Sequence, residues 1–518
     1  MSGAAGGGES GGGGGRTLAA LGLAAPPGVP AEAEVRGLAE DSREVREGVV
    51  FFAVKGARFD GAEFAPFALR QRALAVVCSS DGAETVRRIW AEEGRDVPPQ
   101  GLPLLVVEEP RAALAKAAAA WCGPGPEVVA MVTGTNGKTS VASFLRQIWT
   151  ALGRRAVNVG TLGVEGAVEA PGALTTPDPL TLHGLLADLA EAGATHAALE
   201  ASSHGLDQHR LDGLVPAAAA FTNLSRDHLD YHGTMEAYLE AKLALFSRLL
   251  PEGAPAVVNL DDARADQVVA AVHARGQRLI GVGEAEGADL RRLSARYDGE
   301  GQVLALSWRV GPAREVRLDL VGGFQGENVV CAAALAIACG EDAEAVLEAL
   351  SGLKGVRGRM EPAARRANGA RVYVDYSHTP GGLETAIAAL RLHTPGRLIA
   401  VVGAGGDRDP GKREMMGRAG AEADVLVVTD DNPRSEDPAA IRAAVMAGAA
   451  GMDPKAEEIG DRAEAILVAI DKLGPQDRLL IAGKGHETGQ IVGDQTLPFD
   501  DAEQARAAVA ALDGEEEG

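Results

Sequence analysis

The run Val128-Val-Ala-Met-Val-Thr-Gly-Thr-Asn-Gly-Lys-Thr139 constrains this chain more than any other feature. A short apolar stretch leads into a glycine-bearing turn, and a helical pattern opens near Lys138. Strand, turn and helix in that order build one unit of an open α/β sheet, with a phosphate-sized cradle at the strand's carboxyl end. Gly134 and Gly137 let backbone amides point inward, Lys138 can reach the β and γ phosphates, and the Thr139 hydroxyl can hold magnesium. The expected triphosphate loop is Gly134, Thr135, Asn136, Gly137, Lys138, Thr139 and Ser140. Val132 stands where the usual phosphate-loop pattern has its first glycine. The loop points to a nucleoside triphosphate and leaves the reaction open.

Around this unit, apolar runs at 128–132, 196–200, 217–223 and 256–259 alternate with helical patterns, which predicts a mainly parallel sheet. An Ala-rich helix over 328–339 follows Gly322-Gly-Phe-Gln-Gly-Glu-Asn328. A second doubly wound series starts near Gly355, with strands at 372–375, 398–402, 425–429 and 479–482. Upstream, a smaller α/β stretch closes with a helix over 111–121, and Cys122-Gly-Pro-Gly-Pro126 then breaks the chain. At roughly 150 residues per domain, 518 residues should hold about three domains. The expected divisions are a Gly-rich tail at 1–15, then 16–122, 123–354 and 355–518.

No apolar run is long enough to span a bilayer. The stretch 1–15 is mostly Gly, Ser and Ala and lacks a basic segment, so it is expected to be a disordered tail rather than a signal peptide. A cytoplasmic chain without membrane attachment is therefore expected. A net charge of −23 argues against a nucleic-acid partner, because phosphate backbones need a basic face. Anionic ligands must be held by local cations and backbone amides. Cys78, Cys122, Cys331 and Cys339 lack metal-site spacing and read as reduced packing residues.

Met235, Tyr238, Leu239, Lys242, Phe246 and Leu249 share the three-and-four spacing of one buried helical stripe. Lys242 thus occupies a core-facing position, where an ammonium must be paired, neutralised or modified. It could snorkel or meet a nearby acid. Alternatively, it could react with carbon dioxide, and the resulting carbamate would be an oxygen ligand for magnesium. Polar clusters also crowd two strand ends: Glu200-Ala-Ser-Ser-His-Gly-Leu-Asp-Gln-His-Arg210 and Thr222-Asn-Leu-Ser-Arg-Asp-His-Leu-Asp-Tyr-His232. Glu200 and His228 could reach a second metal ion, or could be satisfied structural groups.

Together with Gly358-Arg-Met-Glu361, Asp375-Tyr-Ser-His-Thr-Pro380, Gly405-Gly-Asp-Arg-Asp409, Asp431-Asn-Pro-Arg434 and Gly483-Lys-Gly-His-Glu487, these motifs resemble the Mur ligases, in their diaminopimelate-adding branch. The resemblance implies an N-terminal UDP-binding α/β domain, a central phosphate-loop ATPase domain and a C-terminal Rossmann-like domain. It implies that Ser42, Ala57, Arg58 and Phe59 contact a UDP-sugar, while Thr175, Thr176, Ser203, Gln208 and Arg210 hold its peptide arm. Thr139, Glu200, His228 and a carbamylated Lys242 would organise magnesium, and Asn328, Arg359 and Asp375 the adenosine part of ATP. Gln325 departs from the family, which usually has Asn there.

The chemistry implied is phosphorylation of a carboxylate by ATP, then attack of an amine on the acyl phosphate. The substrates would be ATP, UDP-N-acetylmuramoyl-L-alanyl-D-glutamate and meso-diaminopimelate, handled by a monomer. A guanidinium pairs two-pronged with a carboxylate and repels an ammonium. Diaminopimelate has a distal carboxylate and lysine does not, so Arg408, Asp431, Asn432, Pro433, Arg434, Gly483 and Glu487 form the expected amino-acid pocket. Two rivals are a sister ligase adding another amino acid and a nucleotide switch; the absence of an Asn-Lys-x-Asp tetrad counts against the switch.

Overall fold

The computed structural model describes residues 16–56, 59–172 and 174–514. The stretch 1–15, the expected sugar contacts Ala57 and Arg58, and the acidic end from 515 lie outside the described residues. The chain forms two compact units. One comprises the chain up to Glu127 with Thr176–Thr195 and Ala201–Val215; the other comprises Val128–Thr175, His196–Glu200 and everything from Pro216. Two excursions of the middle third therefore join the first unit, which a linear reading of domain boundaries does not anticipate.

In the first unit, strands Gly37–Ala39, Val49–Phe52, Ala75–Cys78 and Leu104–Val106 form a parallel sheet in that order. Successive side chains face opposite sides, so Phe51, Val76 and Cys78 enter one apolar cluster and Val50, Phe52, Ala75 and Val77 another. Both faces are covered by helices, as a parallel sheet requires. Helix Ser80–Glu92 lies on one side and Pro110–Cys122 on the other. Helix Pro179–Glu191 packs on Pro110–Cys122. It starts at Pro179 because Asp178 caps it, accepting from Thr181 N at 2.9 Å.

The second unit holds two larger sheets. The first has ten strands in the order Arg314–Leu318, Gln302–Trp308, Leu290–Tyr297, Arg278–Gly283, Pro255–Asn259, Ala218–Phe221, Val128–Thr133, His196–Glu200, Ala156–Gly160 and Gly163–Gly166. Its interior pairs are parallel, and antiparallel pairs occur toward the two edges. After Val128–Thr133 the chain builds outward to one side, then returns to lay Ala218–Phe221 on the other. The loop after Thr133 therefore sits where strand order reverses, the usual ligand position in such sheets.

Helix Lys138–Ala151 buries Val141, Phe144, Leu145, Ile148 and Trp149 in the same cluster as much of helix Gly323–Ala338. That second helix begins at Gly323, earlier than the expected 328. Its glycines are poor helix formers, but Gly326 lies where a Cβ would come 2.7 Å from Gln302 Oε1. Close packing outweighs propensity there.

The other sheet runs Glu361–Arg365, Arg371–Asp375, Arg478–Ala482, Leu398–Val402, Val425–Val428 and Glu457–Glu458. All its pairs are parallel except the first. Leu398, Ala400, Val402 and Leu480 face one cluster; Ile399, Val401, Leu479 and Ile481 face the other. This leaves the turns after Asp375, Val402, Val428 and Ala482 on one rim, where the polar motifs fall.

Candidate active site

The phosphate loop is shaped by its neighbours. Gly134 has φ +151° and Gly137 φ +87°, values that disfavour side chains. A Cβ at Gly134 would overlap Thr222 Oγ1, and one at Gly137 would overlap Asn328 Oδ1. Thr135 N donates to Asn223 O at 2.8 Å, Asn136 N to Asn223 Oδ1 at 3.0 Å, and Thr222 Oγ1 to Asn136 O at 2.7 Å. Lys138 Nζ lies over the Gly134 and Thr135 carbonyls, each at 2.9 Å. Burial pushes its pKa down, while the Glu200 and Asp227 charges oppose that shift. Thr139 and Ser140 are buried in the first helical turn.

Glu200, only 3% exposed, collects several donors. Thr139 Oγ1 donates to it at 3.0 Å, Thr161 N at 2.8 Å and Thr161 Oγ1 at 3.3 Å. Thr161 Oγ1 also lies 3.0 Å from Thr175 Oγ1. The approach needs a bare Gly160, since a Cβ there would overlap the Glu200 carboxylate. Oxygens of cis ligands around an octahedral magnesium, each at about 2.1 Å, sit roughly 3 Å apart. The Thr139 and Glu200 oxygens already have that spacing, and both are hard donors, so this pair fits magnesium.

His228 packs edge-on against the Tyr238 ring, with centroids 6.0 Å apart. It is half exposed, has φ +51°, and its Nε2 lies 3.5 Å from Asp227 Oδ2. Among the described residues, no three His, Cys, Asp or Glu side chains converge as a metal group.

Lys242 is 1% exposed on helix Met235–Ala244, which Thr234 caps. The expected stripe is buried at Tyr238, Leu239, Lys242, Phe246 and Leu249, its last two members continuing through a π-helical segment Leu245–Leu249. The lysine does not snorkel to solvent, and among the described residues it forms no ion pair. Its Nζ donates to Gly134 O at 2.8 Å and lies 4.2 Å from the Tyr238 ring centroid. Burial, then the nearby Lys138 charge, hold its pKa well below the ordinary lysine value. The neutral amine is thus favoured.

Arg359 Nη2 reaches Thr139 Oγ1 at 3.5 Å, and its guanidinium lies 4.6 Å from the Tyr376 ring centroid. Asp375 accepts from Met360 N at 2.7 Å and from Ser377 Oγ, and burial raises its pKa. Gln325 Nε2 donates to Arg359 O at 2.9 Å, and Asn328 Nδ2 to Gln325 Oε1 at 3.2 Å. Gln325 therefore acts as a link between Asn328 and Arg359.

Around Arg434 the rim forms a second site. Arg434 has φ +52° and is held by its backbone to the hairpin Gly489–Val492 and Gln495–Pro498: its N donates to Ile491 O at 3.1 Å and its O accepts from Gly493 N at 2.8 Å. Its Nη1 donates to Gly406 O at 2.7 Å, and the guanidinium forms no ion pair among the described residues. Gly406 must be bare because a Cβ would overlap the Pro433 carbonyl. Asn432 Oδ1 accepts from Lys484 Nζ at 2.8 Å and Ile491 N at 2.9 Å, which turns its Nδ2 to Glu487 Oε2 at 2.9 Å. Asp431 is buried against Gly483, whose Cβ would meet its carboxylate at 2.5 Å. Arg408 is exposed in the neighbouring turn.

Family models match three successive stretches: the Mur ligase family catalytic domain at 34–121, the Mur ligase middle domain at 132–336, and the Mur ligase glutamate ligase domain at 358–485. The chain belongs to the Mur ligase family. This Mur ligase is 47% identical over 488 residues to the UDP-N-acetylmuramoyl-L-alanyl-D-glutamate--2,6-diaminopimelate ligase of Brucella melitensis biotype 1, covering 94% of this chain and 96% of that one. To the ligase of the same name from Caulobacter vibrioides it is 48% identical over 489 residues, covering 92% and 96%. A solved structure bearing that name matches with a TM-score of 0.69 and 32% identity over 96% of this chain and 99% of the other. The three-domain α/β architecture with a parallel-sheet central domain is that of the family.

In the first unit, the Mur ligase places Gln208 and Arg210 together. Arg210 Nη2 donates to Gln208 Oε1 at 2.7 Å and Nη1 to Thr176 O at 2.7 Å. They line a cavity of about 130 Å³ with Glu40, Arg111 and Asp178. Burial and the Asp178 charge push the Glu40 carboxyl up, against the Arg111 and Arg210 charges. Ser203 is buried, and its neighbour Ser202 donates from Oγ to Thr176 Oγ1 at 3.0 Å. Ser42 opens a short turn capped by Asp41, and Phe59 is 65% exposed.

Thr161, Lys484 and Tyr376 escaped the sequence reading as site residues. Thr161 follows an apolar run ending in glycine, and the other two lie inside quoted motifs, so faint signals existed.

Proposed function

We propose that this Mur ligase joins meso-2,6-diaminopimelate to UDP-N-acetylmuramoyl-L-alanyl-D-glutamate with ATP, through an acyl phosphate, in cytoplasmic peptidoglycan precursor synthesis. The observation that carries the choice of amino acid is the Arg434 guanidinium, paired with no acid among the described residues and set beside the Asn432–Glu487 pair. A cation next to an acid-amide pair suits a distal end bearing both carboxylate and ammonium. The distal end of lysine would leave Arg434 without a partner.

In this reading the loop amides and Lys138 hold the triphosphate, and Arg359, at Thr139, meets the phosphates rather than the adenosine. Thr139 and Glu200 hold magnesium, which supplies charge neutralisation for phosphoryl transfer. Lys242 as a carbamate, and His228, complete the metal ligands. Asn328 and Asp375 contact the nucleoside, Ser42 and Phe59 the UDP-sugar, and Thr175, Thr176, Ser203, Gln208 and Arg210 the peptide arm. The protein acts as a monomer.

The acyl phosphate forms when a substrate carboxylate oxygen takes the γ-phosphoryl group and ADP leaves. The amine then attacks the carbonyl and phosphate departs. Side chains position and shield; none attacks. A purified-enzyme assay with the nucleotide-sugar dipeptide, ATP and a panel of diamino acids tests this. Phosphate release should require all three reactants and favour meso-diaminopimelate; equal rates with lysine would overturn the assignment.

A further inference from the structure

Beside the phosphate loop lies a cleft whose lining includes Thr222, Asn223, Gly283, Arg292, Glu327 and Asn328. Thr222 and Asn223 bind the loop backbone, and Asn328 abuts Gly137, so a nucleotide with its phosphates on the loop has its other end within reach of this cleft.

Arg292 is 9% exposed. Its Nη2 lies 2.9 Å from Glu284 Oε1 and 3.4 Å from Glu327 Oε1. Its Nη1 is buried and has no hydrogen-bond partner among the described residues. A buried guanidinium N–H with no partner among the described residues is costly, so the geometry suits an acceptor supplied by a bound ligand. Asp261 holds the Glu284 backbone, its Oδ2 accepting from Glu284 N at 2.7 Å. Asp261, Glu284 and Glu327 thus outnumber the one guanidinium. Burial raises the Glu327 carboxyl, helped by Asp261 and Glu284 and opposed by Arg292. Such a cleft disfavours phosphate and suits the uncharged end of the nucleotide.

We infer that Arg292 and Glu327 select the base: Arg292 Nη1 donates to a ring nitrogen of adenine, and the Glu327 carboxylate accepts from its exocyclic amine. Guanine in the same pose would set a carbonyl oxygen against the carboxylate, and two acceptors repel. The assignment rests on ATP being the nucleotide.

The test measures nucleotide binding to the intact protein by calorimetry, alongside steady-state ligation, with ATP, GTP and purine riboside triphosphate, which lacks the exocyclic amine. The wild type should favour ATP over the amine-less analogue by about tenfold or more. Glu327→Ala should erase that preference, and Arg292→Met should raise the KM for ATP about tenfold while the KM for the amino acid holds. An unchanged ATP-to-analogue ratio in Glu327→Ala, or an unchanged KM in Arg292→Met, overturns the proposal. Glu327 is half exposed, so its variant should fold; if Arg292→Met melts early, the Glu327→Ala ratio decides alone. Binding without co-substrates separates this from the amino-acid assignment: a protein that prefers ATP but adds another amino acid keeps the base reading, whereas one that binds no ATP loses both.

Discussion

Lys242 Nζ donates to the Gly134 carbonyl at 2.8 Å, and with Tyr238 Oη, which donates to Thr135 Oγ1 at 3.2 Å, it ties the helix bearing the buried lysine to the loop that cradles phosphate. Burial and the Lys138 charge hold the lysine's pKa well below its ordinary value, which favours the neutral amine, the form that adds carbon dioxide. Lys242→Arg should lose ligation by about a hundredfold or more while still binding ATP. With labelled bicarbonate, the wild type should show a carbamate carbon signal by NMR that this variant lacks.

The same depressed pKa has a stability consequence in the unmodified protein. Between the folded pKa and the unfolded value of 10.5, the unfolded chain binds the extra proton, so stability rises with pH through that window. Below the folded pKa the burial penalty is fully present. With bicarbonate excluded, Lys242→Met should therefore raise the melting temperature more at pH well below 10.5 than at pH close to it. An equal gain at both ends would refute the neutral lysine.

Gly137 combines φ +87° with a path blocked by Asn328 Oδ1. Gly137→Ala should cost about 1–3 kcal/mol in urea unfolding, the usual strain of a side chain in that region. Nucleotide affinity should fall as well, because Asn328 must shift.

Arg434→Ala should lose most diaminopimelate activity, about a hundredfold in kcat/KM, with the KM for ATP held. Arg434→Lys should recover little, since an ammonium cannot grip a carboxylate with two parallel N–H groups. Recovery by lysine in steady-state kinetics would show that charge alone suffices.

Arg462 and Asp501 form a fully buried two-pronged pair at 2.7 Å in the C-terminal sheet region. Arg462→Met leaves a buried carboxylate alone and should cost about 3–5 kcal/mol. Arg88→Met, which breaks an exposed pair with Glu92, should change stability by about 0.5 kcal/mol at most. Adding Asp501→Leu to Arg462→Met should restore much of the loss.

Several strands and the phosphate loop were legible in the chain because their signals are local: apolar runs, bare glycines, and polar residues gathered where strands stop. Lys242 was legible as an anomaly on a buried stripe, although its partner, a backbone carbonyl far away in sequence, was not. Thr161 meets Glu200 across 39 positions, and Arg292 meets Glu327 across 35. Neither pairing leaves a periodic trace.

Sequence alone determined the strand–turn–helix units, the residue types at their ends and the family. Tertiary structure decided which ends became neighbours: Ala218–Phe221 returning beside Val128–Thr133, Glu200 set against Thr139, and Thr176–Thr195 leaving to pack with the first unit. Parallel strands are joined by long crossovers, so adjacency in the sheet follows from how apolar faces are buried together, and chain order does not prescribe it.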